Sequence, residues 1–288
     1  MTEPLRLRLA YAVVGLGAWV ALRLLGLRRS VVRDNLRRSF PDWTPAQLRA
    51  VEREFARRQG EIAAEVLYAS RIGPDDLRER VTIVNPEALA GAGHPRPLIL
   101  LGAHQCNFEW AMQRVSLEFG ERFVALYKPP RNPRTARWLR SMRSRFGARL
   151  VAAKSVLREL ARMRDVGAIG MLADQVPRTS PEKHWLEFLG QDTAFYMGGE
   201  LLGRALRAQV CAVRVRRLAR GRYELTFEPL NEPGEKLPHG EVTTRYARAL
   251  ESWIRDDPAG WWWTHRRWKL KRGQGTVDRG QGTGDRGQ

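Results

Sequence analysis

The strongest candidates for proton-transfer chemistry are a histidine and an acidic residue five positions apart. His104 follows the apolar run at residues 98–101, and Glu109 lies five residues further along the chain. A carboxylate that hydrogen-bonds one imidazole nitrogen fixes the tautomer and raises the basicity of the other nitrogen. We therefore interpret His104 as a general base for a hydroxyl group, with the loop folded back so that Glu109 meets the imidazole. The alternative is a loop histidine beside an unrelated acid, because a motif of this spacing is weak in isolation.

Two segments that follow predicted strands, the His104 segment itself and a second one, hold further polar candidates. Asn107 stands where it can cap the helix that follows the loop, and Asp174 with Gln175 follows a second apolar run at residues 168–172. Sites in open α/β sheets lie beyond the carboxyl ends of the strands, so both segments are candidates. On its own, Asp174 is better interpreted as part of an ordinary turn, since Asp and Pro are common turn residues.

The two cysteines, Cys106 and Cys211, form no CxxC pair, and no Cys/His cluster has zinc-ligand spacing. We therefore expect neither a metal nor a cofactor. Buried thiols in a reducing compartment are the simpler interpretation. A nucleophilic thiol at Cys106, with His104 as its base, is the alternative.

Around these residues, strand patterns alternate with helix patterns. A capping-box spacing at Thr44 and Gln47 predicts a long helix from about residue 45 to 70. Short apolar or alternating runs predict strands, at residues 81–84, 98–101, 123–127, 149–152, 168–172, 210–215 and 223–228. Strands that alternate with helices indicate an α/β domain with a mainly parallel or mixed central sheet.

The N-terminus carries an uncharged apolar stretch, Leu9–Leu22, followed by Arg23 and further arginines. A spanning helix needs about 20 apolar residues, so this stretch is marginal. It predicts an anchor that spans the membrane or lies in its interface, with the following domain in the cytoplasm because arginines are enriched after the stretch. A buried soluble helix and a signal peptide are the alternatives, although no A-x-A-like cleavage site follows.

The charge balance favours an anionic partner. Lys and Arg number 50 against 31 Asp and Glu, a formal net charge of +19. Nucleic acid, an anionic membrane surface, or an acidic protein or phosphorylated substrate would each suit it. The segment at residues 261–272 is rich in Trp and basic residues, but no nucleic-acid-binding signature accompanies it. We therefore expect no nucleic-acid partner.

Several motifs, taken in order, resemble those of the late acyltransferases of lipid A biosynthesis, the lauroyl/myristoyl transferases within the lysophospholipid acyltransferase superfamily. The pair His104 and Glu109 is similar to the HX4(D/E) motif of this family. Further matches, over about residues 5–272, are Asn35-Leu36 with Phe40-Pro41, Tyr127–Pro133, Arg143, Leu172–Gln175, Trp185–Gly190, Phe195–Gly199 and Thr264–Lys269. The family usually has glycine where this chain has Cys106, a bulkier side chain that would narrow the pocket.

The resemblance implies a three-layer α/β/α fold with a mixed central sheet and an N-terminal membrane-anchoring helix. Residues 1–29 would form the anchor and residues 30–271 the acyltransferase domain. The tail at residues 272–288 is a seven-residue repeat without an apolar face, and we predict that it is disordered.

The resemblance also implies the reaction. An acyl-carrier-protein thioester would donate the acyl chain, and a hydroxyl of a lipid A precursor would accept it at the cytoplasmic face of the inner membrane, in lipopolysaccharide biosynthesis. His104 and Glu109 would be catalytic, and four residues would bind substrate: Asn107, Arg143, Asp174 and Gln175. The same motifs would serve transfer to another membrane lipid, such as a phosphatidylinositol mannoside or an ornithine lipid. A non-enzymatic basic membrane protein is the alternative from another class.

Overall fold

A computed structural model of the protein describes residues 4–23, 26–90, 96–163, 165–177 and 182–272. The strands in these ranges are β1 (Val81–Ile83), β2 (Leu98–Gly102), β3 (Phe123–Tyr127), β4 (Arg149–Ala152), β5 (Ala168–Leu172), β6 (Lys183–Phe188), β7 (Gln191–Tyr196), β8 (Val210–Ala219) and β9 (Arg222–Pro229). Seven of them form one sheet in the order β1-β9-β8-β2-β5-β3-β4. The other two, β6 and β7, pair with each other as an antiparallel hairpin.

The central sheet is mixed but mostly parallel. Strands β4, β3, β5, β2 and β8 all run in one direction. Strand β9 is antiparallel to β8, and β1 is parallel to β9. In the register of β2 and β5, Gly102 lies opposite Leu172, so both strands end at the same edge of the sheet. The turns that follow these two strands therefore emerge side by side.

Helices cover both faces of the sheet. They are α1 (Leu5–Ala10), α2 (Leu16–Arg23), α3 (Arg29–Ser39), α4 (Pro45–Tyr68), α5 (Pro74–Arg80), α6 (Phe108–Phe119), α7 (Pro133–Arg143), α8 (Val156–Leu160), α9 (Gly198–Leu206) and α10 (Glu241–Asp256). Successive side chains of β2 point to opposite faces. Ile99 and Leu101 join a core cluster with residues of α3, α9 and α10. Leu98 and Leu100 join a second cluster with residues of α5 and α6. The predicted α/β architecture is thus confirmed.

Local sequence signals explain where the long helix α4 begins. The Thr44 hydroxyl accepts a hydrogen bond from the Gln47 backbone N–H at 3.3 Å, and the Gln47 side chain accepts one from the Thr44 backbone N–H at 2.8 Å. This reciprocal pair is the predicted capping box, and Pro45 occupies the first helical position. Helix α5 and the β6–β7 hairpin were not predicted from the sequence.

The N-terminal segment is helical but packs against the domain. Helices α1 and α2 are joined by a π-helical turn at Tyr11–Gly15, and one side of the segment lies on α4. The contact is close, because a Cβ atom on Gly60 would lie 2.5 Å from the carbonyl oxygen of Gly15. No helix among the described residues has the length and apolar character that crossing a membrane requires. The expectation of a spanning anchor is therefore not supported.

The other side of this segment is apolar and exposed. Its large side chains recur at helical spacing and face away from α4: Leu5, Leu9, Val13 and Leu16. We call these four residues the N-terminal apolar stripe. The repeat tail after residue 272 lies outside the described residues, and the division of the chain at residues 29 and 271 stays a prediction.

Candidate active site

The adjacent ends of β2 and β5 bring His104 and Asp174 into direct contact. The imidazole Nδ1 of His104 lies 2.7 Å from Oδ1 of Asp174. The second carboxylate oxygen accepts the His104 backbone N–H at 3.0 Å and the indole N–H of Trp261 at 2.9 Å. Asp174 is buried, with 3% of its surface exposed. This carboxylate therefore fixes both the backbone and the ring of His104.

The charge of Asp174 sets the tautomer of the imidazole. Burial works against ionisation of this carboxyl, but the charge of His104 and the hydrogen bonds from His104 and Trp261 outweigh it and lower its pKa to about 2. An ionised carboxylate only accepts hydrogen bonds, so Nδ1 of His104 carries the proton. The other ring nitrogen, Nε2, is then the basic atom, and it lies 3.1 Å from the side-chain nitrogen of Gln175.

Glu109 has a different partner from the one the sequence predicted. Its carboxylate accepts hydrogen bonds from Nε and Nη2 of Arg143, the first at 2.9 Å. Among the described residues, no hydrogen bond or ion pair joins Glu109 to His104. The expectation that Glu109 orients the imidazole is therefore wrong. The physical reason is that the Glu109 side chain meets Arg143 at the end of α7, whereas the neighbouring strand β5 leads into Asp174, which supplies the carboxylate for His104.

Asn107 holds the turn that carries His104. Its side-chain oxygen accepts the backbone N–H of Trp110 at 3.0 Å and so caps α6, as predicted. Its amide nitrogen donates to Oε2 of Glu65 at 2.8 Å. Asn107 is buried, and both of its polar groups are used within the protein. This geometry assigns Asn107 to the support of the turn, whereas the sequence analysis expected it to bind substrate.

Glu65, which the sequence analysis missed, is the centre of this support. Besides Asn107, the buried carboxylate accepts hydrogen bonds from Tyr11 Oη at 2.7 Å, Tyr223 Oη at 2.6 Å and the Gly221 backbone N–H at 3.1 Å. Burial raises the pKa of Glu65. The network connects the N-terminal segment, α4, the β8–β9 turn and the start of α6. No local sequence signal could have identified it, because the four donors come from distant parts of the chain.

Two aromatic side chains flank the imidazole. The ring centroid of His104 lies 5.0 Å from Phe108 and 5.2 Å from Trp262. The backbone N–H of Trp262 also donates to the His104 carbonyl oxygen at 3.0 Å. The tryptophan-rich C-terminal segment, whose role the sequence left open, therefore completes this site through Trp261 and Trp262.

Cys106 occupies a strained position next to the site. Its backbone φ is +50°, in the left-handed region that favours glycine. The side chain is buried in the second core cluster, and burial raises the pKa of the thiol to about 12. A thiol with this pKa is a poor nucleophile, so the structure does not support the alternative of cysteine catalysis. The left-handed φ also gives a physical reason why glycine suits this position.

Metal ligation has no candidate here: in the part of the chain that the structure describes, no group of three or more His, Cys, Asp or Glu side chains could hold a metal ion.

The fold and the site together define an α/β protein with a carboxylate-bound histidine at the edge of a mostly parallel sheet. Residues 5–270 match the family model described as bacterial lipid A biosynthesis acyltransferase. Because the match covers most of the chain, the protein belongs to this acyltransferase family. No curated protein matches the sequence significantly.

Among solved structures, the chain is similar to the crystal structure of the 1-acyl-sn-glycerophosphate (LPA) acyltransferase PlsC from Thermotoga maritima. The TM-score is 0.41 and the sequence identity 14%, and the match covers 88% of this chain and 97% of that chain.

Proposed function

We propose that the protein transfers a fatty acyl chain from an acyl-carrier-protein thioester to a hydroxyl of a lipid A precursor, in lipopolysaccharide biosynthesis. The observation that carries the proposal is the buried Asp174–His104 pair, which leaves one basic imidazole nitrogen on a partly exposed side chain at the carboxyl edge of the sheet. Such a pair suits attack by an alcohol, because the alcohol must lose a proton as it becomes a nucleophile.

The proposed chemistry proceeds in two steps. Nε2 of His104 takes the hydroxyl proton while the alcohol oxygen attacks the thioester carbonyl, which becomes a tetrahedral oxyanion. The carbon–sulfur bond then breaks, the carbonyl re-forms as an ester, and the imidazolium returns its proton to the departing thiolate. Asp174 stabilises the imidazolium through the 2.7 Å contact with Nδ1. Gln175 donates to Nε2 in the free enzyme and must yield that position to the substrate hydroxyl.

Arg143 is proposed to face negative charge on the substrate. Glu109 takes the Nε and Nη2 groups of this side chain, which leaves the Nη1 group to donate to the oxyanion or to a phosphate. Glu109 then serves as the residue that positions Arg143. In this proposal both members of the sequence motif act, but Glu109 acts through the arginine.

We also propose that the protein works at the cytoplasmic face of the inner membrane. The N-terminal apolar stripe supports attachment by a helix that lies in the membrane interface. Arg6 and Arg8 are exposed on the same segment, where they would contact anionic headgroups. An attachment of this kind would keep the site close to an acceptor that is itself embedded in the bilayer.

The acceptor is tested by mass spectrometry of the outer-membrane glycolipid from a deletion strain. We expect lipid A that lacks one acyl chain, and restoration by the wild-type gene but not by a His104→Asn variant. A normal acyl count in the deletion strain would contradict the lipid A assignment. The acceptor would then be another membrane glycolipid, such as a phosphatidylinositol mannoside, or an ornithine lipid.

A further inference from the structure

The loop after β3 and helix α7 form a concentrated basic surface. Residues 128–145 contain seven Lys and Arg and no Asp or Glu. Six of the seven side chains are exposed, at Lys128, Arg131, Arg134, Arg137, Arg140 and Arg145. We call these six residues the α7 basic face.

The charge of this face is not cancelled by neighbouring acids. On α10, Arg245 and Arg255 each pair with a glutamate one turn earlier, and on α4 Arg57 pairs with two glutamates. Within the described ranges, none of the six cations of the α7 basic face forms a salt bridge. Unpaired like charges on one helix repel one another, so this arrangement indicates a surface for an external anion.

The α7 basic face adjoins the candidate active site. Strand β3, which leads into it, pairs directly with β5, the strand that precedes Asp174. The last residue of α7, Arg143, forms the ion pair with Glu109 in the first turn of α6. A partner bound to this face would therefore lie next to the Glu109–Arg143 pair, at the margin of the candidate active site.

The chemistry of the face favours an acidic soluble protein over a bilayer. A helix that lies in a membrane buries apolar side chains below the headgroups. Residues 128–145 expose no large hydrophobic side chain, whereas the N-terminal apolar stripe exposes four. We infer that the α7 basic face docks an acidic protein domain that delivers the acyl chain as a thioester. This inference rests on the proposed function, since it assigns a surface to the proposed donor.

The test compares two donors that carry the same lauroyl chain, one on acyl carrier protein and one on uncharged pantetheine. The variant R131E/R134E/R137E reverses three exposed, unpaired charges of the face. The control R37E/R49E/R53E reverses three exposed arginines of α3 and α4 that also lack a salt bridge among the described residues. Both variants have the same net charge, so a difference between them reports the location of the charge.

We expect the α7 variant to raise the KM for lauroyl-carrier protein at least about tenfold, and the control to change it by less than about threefold. Transfer from lauroyl-pantetheine should stay within about twofold of wild type. In direct binding measurements, unacylated carrier protein should bind wild type more weakly as salt increases, and the α7 variant should lose this binding.

The inference would be overturned by equal losses with both donors, by equal effects of the two triple variants, or by unchanged binding of carrier protein to the α7 variant. Selective loss of co-sedimentation with anionic vesicles would assign the face to the membrane instead, and would also overturn it. If wild type transfers the chain from neither donor, the proposed function fails. If wild type is active and the variants behave alike, only the docking surface fails.

Discussion

Two carboxylates near the same edge of the sheet neutralise different partners. Glu109 lies five residues from His104 in the sequence but pairs with Arg143. Asp174 is 70 residues away and pairs with His104 at 2.7 Å. The difference arises because β2 and β5 are neighbours in the sheet, whereas the Glu109 side chain reaches Arg143 at the end of α7. A sequence motif can thus identify members of a site without identifying which members pair.

The largest expected effect concerns the imidazole itself. Asparagine at position 104 can still donate to Asp174 but lacks the basic Nε2 atom, so we expect His104→Asn to lower the acyl-transfer rate by roughly 10²- to 10⁴-fold. Transfer from an acyl thioester to acceptor lipid in vesicles measures the rate. The matched control is His239→Asn, at an exposed histidine, which should keep wild-type activity. Full activity of the His104 variant would show that His104 is not the general base.

The Glu109–Arg143 pair should matter for stability as well as rate. Replacing Arg143 with methionine leaves the buried Glu109 carboxylate without its counter-charge, which we expect to cost about 3 kcal/mol of unfolding free energy. The double variant E109Q/R143M should recover most of this loss, because no buried charge remains. Urea titration of the single and double variants measures both effects. An R143M variant as stable as wild type would show that the pair does not form in solution.

A second histidine tests the charge environment of the site. Burial lowers the pKa of His265 from 6.5 to about 4, and the positive charge of Arg267 acts in the same direction. Below pH 6.5 the unfolded chain binds this proton before the folded protein does, so His265 makes stability fall as pH decreases from 6.5 towards 4.

Glutamine does not titrate, so the stability of His265→Gln should lack the loss that His265 causes at low pH. The difference in urea midpoint between wild type and variant should be constant above about pH 7. Below about pH 6, the midpoint of wild type should fall relative to that of the variant. A difference that does not depend on pH would mean that His265 titrates normally in the folded protein.

The smallest expected effect is at Cys106. Because burial raises the pKa of its thiol to about 12, iodoacetamide should not label it in the folded protein. Cys106→Ala should keep acyl-transfer activity within about threefold, as expected for a side chain without a catalytic role. Cys211, which is also buried, should label only on unfolding and provides the internal control. Rapid labelling of Cys106 in the folded state, with loss of activity, would support a nucleophilic role for this thiol.

Much of the fold could be predicted, because its signals are local. The alternation of strand and helix patterns gave the α/β class, and the capping box at Thr44 gave the start of α4. The N-terminal segment was harder to interpret, since a short apolar helix can span, lie on a membrane or pack on protein. The packing of Gly15 on Gly60 and the burial of Leu7 and Tyr11 distinguish its buried side from its exposed side.

The members of the site could also be predicted, but their connections could not. His104, Asp174 and Gln175 were chosen because they follow buried strands, and the structure places them in contact. Neither the role of Glu65 nor the contact of Trp261 with Asp174 was predicted, because these hydrogen bonds join residues 42 or more positions apart and no local motif marks them. Pairing of this kind depends on strand order, which is a property of the whole sheet.

The central claim is that His104 works with Asp174 and not with Glu109, and a double-mutant cycle tests it most directly. The single-turnover acyl-transfer rate is measured for D174N and E109Q, each in the wild-type and the H104N background. We expect D174N to lower the rate by roughly 10²-fold or more in the presence of His104, and by less than about threefold in its absence. E109Q should lower it by the same factor in both backgrounds. The reverse pattern, with D174N additive and E109Q dependent on His104, would contradict the account.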